Sequence, residues 1–387
     1  MIKGTFPVEK FGQMDTPFYY YDTEVLARTL EAIRNEIKRH DNYAVHYAIK
    51  ANANPKLLRI IQSYGLGADC VSGGEIRAAV DAGFEPSGIV YAGVGKSDEE
   101  IRYALSVGIS RFNVESAAEL EIIDSLAAEA GVVAPVSLRV NPDIGAHTHS
   151  NITTGLSENK FGINYEQLED VMRLALSLPN ISYCGLHFHI GSQILDMSDF
   201  AALCNRINSL RASLERHGLP LGDVNVGGGL GINYEHPNHL PVADFDGYFA
   251  TFRRFLKLPE GTLLHFELGR SIVAPCGSLI TRVLYVKEGT TRRFAIVDGS
   301  MTELIRPALY HAYHRIENIS SDAPEEVYDV VGPVCESSDV FGKGVLLDGC
   351  RRGDFIAIRS AGAYGESMSS QYNCRPLPPC YIDSQED

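Results

Sequence analysis

A (β/α)8 barrel carrying a mostly antiparallel β domain is the fold that this sequence predicts. Three observations predict it. Eight short β-type runs recur between residues 43 and 267, and all but the last are followed by an amphipathic helical stretch. The residues able to do chemistry fall where those runs end. Beyond Arg270 the alternation stops, and short β-type runs separated by turns take over. Strand–helix alternation implies right-handed crossovers and a parallel sheet. Eight such units fit a closed barrel. An open doubly wound sheet is the alternative, but its dinucleotide fingerprint is not in place.

The elements follow in order. P-F-Y-Y-Y-D (17–22) reads as a strand, and Thr23 caps a helix in which Leu26, Leu30, Ile33 and Ile37 recur at helical spacing. Barrel strands are expected at 43–50, 67–71, 88–92, 111–114, 135–140, 181–189, 223–227 and 262–267. Helices are expected at 55–64, 74–82, 97–107, 116–130, 165–178, 198–217 and 242–257. After Arg270, the runs S-L-I-T-R-V-L-Y-V-K, R-R-F-A-I-V-D, V-Y-D-V-V-G and D-F-I-A-I-R read as strands, and only 303–315 reads as a helix. Residues 1–22 share this β character. The expected division is therefore a barrel over 23–270 and a β domain formed by 1–22 and 271–387. The closing D-S-Q-E-D reads as a frayed tail.

Composition narrows the function classes. The 387 residues carry a net charge of −15, which argues against a general nucleic-acid binder. At 45% hydrophobic and 21% charged, the chain is ordinary for a soluble globular protein. No apolar run reaches membrane-spanning length. G-T-F-P-V-E-K after Met1 lacks the basic and apolar parts of a signal peptide, so a cytoplasmic location is expected. The eight cysteines show neither a C-x-x-C pair nor zinc spacing and are expected to be reduced thiols.

The strand Y-A-V-H-Y-A-I-K ends on Lys50, and lysine resists burial without a partner. A strand-end lysine reaching solvent is one reading; an amine kept as a nucleophile is the other. In a barrel, function sits at the C-terminal strand ends. There the sequence places Lys50, Asp69, His187, His189, Gly227–Gly231, Glu267 and Arg270. G-G-G-L-G is a tight turn or a phosphate cradle, since glycines let backbone N–H groups approach closely. Arg270 is a structural ion-pair partner or a bidentate anion clamp. His187 and His189 alternate, so they share a strand face. They could be core residues, the metal pair of a barrel hydrolase recruiting His265 and Asp69, or, for His189, a flat ring stacked on a flat cofactor. A lysine, a phosphate cradle, an imidazole and a carboxylate at one barrel mouth suit pyridoxal 5′-phosphate (PLP). Lys50 would attach to its aldehyde, and Glu267 would keep the pyridine nitrogen protonated.

At this point the chain resembles the PLP-dependent decarboxylases with an alanine-racemase-like barrel, most closely the branch acting on diaminopimelate. Y-A-I-K-A-N, G-A-D-C-V-S-G-G-E, H-F-H-I-G-S-Q, G-G-G-L-G, E-L-G-R, L-I-R-P-A-L-Y-x-A-Y-H, G-P-V-C-E-S-S-D and G-A-Y-G-x-S-M-S-S-x-Y-N appear in that family's order along nearly the whole chain. The family usually has proline where this chain has Leu268, which implies a local backbone change. The resemblance implies decarboxylation of meso-2,6-diaminopimelate to L-lysine and carbon dioxide, the last step of lysine biosynthesis. It implies that Lys50 carries PLP and that His189 stacks on its ring. Ser192, Gly228, Gly229, Gly231 and Arg270 would surround the phosphate, with Tyr364 near it and Asp69 and Gly269 also at the cofactor. Arg270, Arg306, Tyr310 and Tyr364 would hold substrate carboxylates, and Glu336 the distal amino group. Cys335 would protonate the carbanion. Cys335 and Glu336 would come from the other subunit of a homodimer with shared sites. Sister decarboxylases acting on ornithine, arginine or carboxynorspermidine are the near alternatives. An alanine-racemase-like enzyme is disfavoured by Cys335, and a small PLP-holding homeostasis protein by the C-terminal β domain.

Overall fold

The computed structural model describes residues 4–142 and 160–383. The chain divides into two compact units, one of Leu30–Gly231 and Asp244–Gly269, the other of Met1–Thr29, Ile232–Ala243 and Arg270–Asp387.

In the first unit the eight expected strands form a closed parallel barrel. They are β1 (Tyr43–Ala48), β2 (Gly67–Cys70), β3 (Ile89–Tyr91), β4 (Arg111–Val114), β5 (Ala134–Arg139), β6 (Ile181–His187), β7 (Asp223–Asn225) and β8 (Leu264–Leu268). Tyr47 closes the ring, pairing with Ala68 on β2 and with Leu268 on β8. Leu268 thus continues its strand.

The helices between strands start where the sequence supplies a cap. Ser72, Ser97 and Ser116 accept from the backbone N–H of Glu75, Glu100 and Glu119, and Ser97 with Glu100 forms a reciprocal capping box. Each cap contributes about 1 kcal/mol. Two of these helices stop at Gly108 and Gly131, whose φ values of 73° and 68° suit a residue without Cβ. Their apolar faces, such as Leu57, Leu58 and Ile61 on Pro55–Ser63, are fully buried. Truncating one such leucine to alanine removes roughly 2–5 kcal/mol.

The barrel interior departs from the usual filling of branched aliphatic side chains. Asn113 on β4 reaches Glu267 on β8, and Arg111 on β4 reaches Asp223 on β7. Contacts between strands so far apart around the ring run through its interior. His46, Asp69, Ser137, Arg139, His187, Asn225 and His265 are buried as well. Buried polar groups are tolerated when they bond one another, so this interior is a network and not a hydrophobic plug.

The second unit is an eight-stranded sheet. Its path runs Ile316–Asn318, Phe355–Ile358, Gly277–Glu288, Arg293–Val297, Glu325–Val331, Val340–Asp348. Phe18–Asp22 pairs antiparallel with Gly277–Glu288 and parallel with Cys380–Asp383. Arg293–Val297 and Glu325–Val331 are also parallel, and the other pairs are antiparallel. The N-terminal strand is thus built into the sheet. Phe11, Phe18, Tyr20, Ile280, Phe355 and Ala357 form one core beneath it.

Several expectations change. Residues 8–11 form a helical turn and are not extended. The helix expected over 303–315 shrinks to Arg306–Tyr310, because His311 enters the left-handed region at φ 52° and ends it. Val340–Asp348 was not expected as a strand. Its V-F-G-K-G-V-L-L-D pattern is broken by two glycines, and Gly344 has a φ of 63°. Asp383 of the expected tail belongs to the strand Cys380–Asp383, and residues 384–387 lie outside the described residues.

Candidate functional site

One set of the barrel's polar side chains assembles at the C-terminal ends of its strands. β1 ends at Ala48, and a short 3-10 turn, Ile49–Ala51, carries Lys50. Lys50 Nζ lies 2.9 Å from Asp69 Oδ2, with the lysine side chain 41% exposed and the aspartate fully buried. Burial, and then repulsion from Glu267, raise the Asp69 pKa above its ordinary value, while Lys50 opposes them. Asp69 Oδ1 is buried without a hydrogen-bond partner among the described residues.

Glu267 sits in the most saturated position. Asn113 Nδ2 and Asn225 Nδ2 donate to its Oε1 at 3.0 and 2.7 Å. Its Oε2 lies 3.0 Å from His187 Nε2. Burial alone would raise its pKa, but His187, through charge and its hydrogen bond, and Lys50 outweigh burial, and the carboxyl stays ionised well below the usual carboxylate range. His187 is therefore bound to a carboxylate.

His189 does not share a strand with His187, because β6 ends at His187. Gly228 N–H donates to His189 Nδ1 at 3.3 Å. Burial, with help from Arg139 and Lys50, pulls the His189 pKa down to about 3, so the ring is neutral. The glycine loop follows β7, which ends at Asn225. A Cβ on Gly228 would stand 1.9 Å from the Glu267 carbonyl oxygen, and one on Gly229 2.7 Å from that of Gly191. Both positions demand glycine for close approach. Gly231 packs against Gln193 and Gly269 against Ala48 and Ala51, while Ser192 is half-buried.

These features fit PLP. A reachable amine stands beside a buried carboxylate, a neutral flat ring lies close by, an ionised carboxylate is fixed by amides, and a glycine loop leaves room for an anion to meet backbone N–H groups. Among the described residues no group of three or more metal-type ligands is assembled.

The second unit holds the remaining candidates in two places. Arg270 and Arg306 are both buried around Tyr234. Arg270 Nη1 donates to Tyr234 Oη at 2.8 Å, and the Arg306 guanidinium lies 5.1 Å from the Tyr234 ring centroid. Arg270 also lies 5.0 Å over the ring of Tyr364, whose φ is 55°. Burial raises the Tyr234 pKa, but Arg270 and Arg306 overcome it and the phenol ends below its ordinary value. Arg306 Nη1 donates to His314 Nε2 at 2.8 Å, and His314 Nδ1 lies 2.8 Å from the Arg359 carbonyl. Tyr310 is one helical turn from Arg306, on the same short helix. Cys335 and Glu336 lie apart, in an exposed turn. Asn373 Oδ1 accepts from Cys335 N–H at 3.1 Å, and Tyr372 Oη donates to Glu336 Oε1 at 2.8 Å.

Sequence reasoning missed Tyr234, His314, Asn113 and Asn225. The two asparagines carried a signal, since each is a polar residue in an apolar β run, R-F-N-V and D-V-N-V. Tyr234 carried none, standing in a loop after the glycines.

Comparison with known proteins agrees with this geometry. The sequence profile of the pyridoxal-dependent decarboxylase pyridoxal-binding domain matches residues 24–274. A diaminopimelate decarboxylase of Bacteroides thetaiotaomicron is 60% identical over 384 residues, covering 99% of this chain and all of its own length. One from Zymomonas mobilis is 41% identical, over 95% of this chain and 87% of that protein. The crystal structure of a Helicobacter pylori diaminopimelate decarboxylase mutant with L-lysine superposes with a TM-score of 0.91 at 40% identity, covering 98% of this chain and 94% of that one. The chain belongs to the diaminopimelate decarboxylase family of pyridoxal-dependent decarboxylases.

Proposed function

We propose that this protein decarboxylates meso-2,6-diaminopimelate to L-lysine and carbon dioxide with PLP as cofactor, as the last step of lysine biosynthesis in the cytoplasm. The observation that carries the substrate assignment is the pair of arginines, Arg270 and Arg306, buried around one tyrosine hydroxyl. Two guanidiniums kept in low dielectric suit a ligand with two carboxylates, which a simple diamine precursor such as ornithine lacks. The relative crystallised with L-lysine supports the same product class.

Bound PLP supplies the electron sink for the pair left when carbon dioxide departs. The chain's own residues do the rest. Lys50 holds the cofactor covalently through its amine, and Asp69 keeps that amine oriented. Glu267 would accept the hydrogen bond of the pyridine N–H. Its charge is fixed by Asn113, Asn225 and His187, so no reorganisation is needed during turnover. His189, neutral and buried, would stack on the ring. Ser192, Gly228, Gly229, Gly231, Gly269, Arg270 and Tyr364 would hold the phosphate. Arg306, Tyr310 and Tyr364 orient the distal end of the substrate, with Arg270 shared between phosphate and carboxylate. Cys335 of the partner subunit delivers a proton to the α-carbon from one face, and Glu336 of the partner subunit takes the distal ammonium. The working unit is therefore a homodimer with shared sites. The exposed turn that holds Cys335 and Glu336 supports this role, because a residue that serves another subunit must be presented outward.

The reading is tested in a bacterial strain lacking diaminopimelate decarboxylase. Expression of this chain restores growth without lysine, and expression of its Lys50→Ala form does not. Growth that stays lysine-dependent with the soluble wild-type chain contradicts the proposal.

A further inference from the structure

A second polar layer lies inside the barrel and has no part in the roles above. His46 Nδ1 is 3.0 Å from the Gly88 carbonyl oxygen, and His46 Nε2 is 2.9 Å from His265 Nδ1. The two rings lie 20° from parallel. Farther along, His265 Nε2 faces Asp223 Oδ2 at 3.6 Å, and Arg111 Nη2 holds the same oxygen at 3.1 Å. Gly67 makes the room, for a Cβ there would stand 2.5 Å from His46 Nδ1 and 2.3 Å from the Gly88 oxygen.

The protons in this chain can be counted. A carbonyl only accepts, so His46 carries its proton on Nδ1. Burial, then repulsion from His265, pull the His46 pKa down to about 3, so that ring stays neutral and its Nε2 accepts. His265 must then donate through Nδ1. A neutral His265 has no second proton, and its Nε2 turns a lone pair toward a carboxylate. The 3.6 Å gap, next to contacts of 2.9 and 3.0 Å, is what two facing acceptors leave. His265 Nε2 is a buried atom without a hydrogen-bond partner among the described residues. Swapping both tautomers only moves the mismatch to Gly88. One added proton on His265 makes every contact a donor–acceptor pair.

We propose that His265 is a positioning residue for Glu267, binding one proton on acidification and so placing positive charge beneath that carboxylate. It acts through His46, which is the strand-register partner of Glu267. The charged and titratable groups facing His265 are His46 on β1, Arg111 on β4, Asp223 on β7 and Glu267 on its own strand. Burial lowers the His265 pKa most; Asp223 opposes it through hydrogen bonding and charge, Arg111 lowers it, Glu267 raises it, and the sum lies below the ordinary value. The proton therefore binds on the acid side of neutrality. Arg111 already balances Asp223, so the added proton leaves a net charge that competes with the pyridine N–H for Glu267. The inference rests on the assignment of Glu267 to the cofactor nitrogen, but its first test needs no cofactor.

The test is nitrogen-resolved NMR of the full chain labelled with 15N-histidine, titrated from about pH 8 to about pH 5. One ring is expected to pass from unprotonated to protonated at Nε2, and that signal is absent in His265→Asn, which keeps an amide donor toward His46. His46 keeps its Nδ1 proton throughout. A His265 ring that does not change protonation over this range overturns the proposal. PLP affinity is then measured at both ends of the range. It is expected to weaken on acidification on the order of fivefold more in the wild type than in His265→Asn; parallel losses overturn the link to Glu267. Should His265→Asn fail to fold, Asp223→Asn replaces it and moves the NMR step to more acidic pH, because the carboxylate that raises the His265 pKa is gone. A step unmoved in Asp223→Asn is equally fatal.

Discussion

Lys50 and Asp69 form an ion pair of 2.9 Å in which one partner is reachable and the other is sealed. The asymmetry suits an amine that must react while staying oriented. Lys50→Ala is expected to lower turnover by at least about 10³-fold, and the cofactor, if bound, can be dialysed away from the variant. Absorbance of the cofactor after dialysis checks it. Asp69→Asn keeps the shape and removes the charge, so it is expected to leave the cofactor attached while slowing turnover.

Glu267 is ionised although buried, because His187 and Lys50 outweigh desolvation. A carboxyl whose pKa is lowered on folding stabilises the native state above its unfolded value of 4.5 and loses that contribution as pH falls through the folded value. Glu267→Gln is therefore expected to show a smaller loss of Tm below about pH 4.5 than the wild type. If Glu267 faces the pyridine nitrogen, the same change removes the anion there, and kcat is expected to fall roughly 10²-fold or more.

His46, His189 and His314 all have folded pKa values pulled down to about 3, chiefly by burial. Here the sign runs the other way in mechanism but not in direction. Unfolding lets each ring gain a proton below its ordinary 6.5, so stability falls as pH drops from that value toward the folded one. Each ring contributes about 1.4 kcal/mol per pH unit over the window. His314→Gln, which keeps an acceptor for Arg306, is expected to flatten the decline between about pH 6 and pH 4. Urea midpoints of both proteins across that range measure it.

Arg306 is buried between Tyr234 and His314. If it orients a second carboxylate, Arg306→Met lowers kcat/KM for diaminopimelate by about 10²-fold, the effect of a lost charge-assisted hydrogen bond in low dielectric. Cofactor affinity is expected to change little. A KM effect without loss of cofactor separates substrate binding from general damage.

A shared-site dimer would have its own signature. Lys50→Ala and Cys335→Ala are each inactive alone. If Cys335 serves the partner's cofactor, mixing and reassociating the two variants restores about one quarter of wild-type activity, because half the dimers are mixed and each has one intact site. Activity that stays at background after verified subunit exchange assigns both residues to one chain.

Much of this was legible before any coordinates. The barrel strands were readable because each is a short apolar run bounded by caps and glycines, and Lys50 stood out as a charge at the end of one. The arrangement around Glu267 was legible only in part. Asn113 on β4 and Asn225 on β7 stand three strands apart, and only closure of the barrel brings both to one carboxylate. The strand Cys380–Asp383 was hidden for a related reason, since its partner Phe18–Asp22 lies at the other end of the chain. The helix over 303–315 was overread, because periodicity does not reveal that His311 turns left-handed and frees His314 for Arg306.

The central claim is tested most directly by a substrate panel. Purified protein with PLP is given meso-diaminopimelate, ornithine, arginine and carboxynorspermidine separately, and carbon dioxide and amine product are followed. The account predicts equal amounts of carbon dioxide and L-lysine from diaminopimelate and no turnover of the other three. Turnover of another substrate in preference to diaminopimelate contradicts the roles given to Arg306 and Glu336, and with them the assigned function.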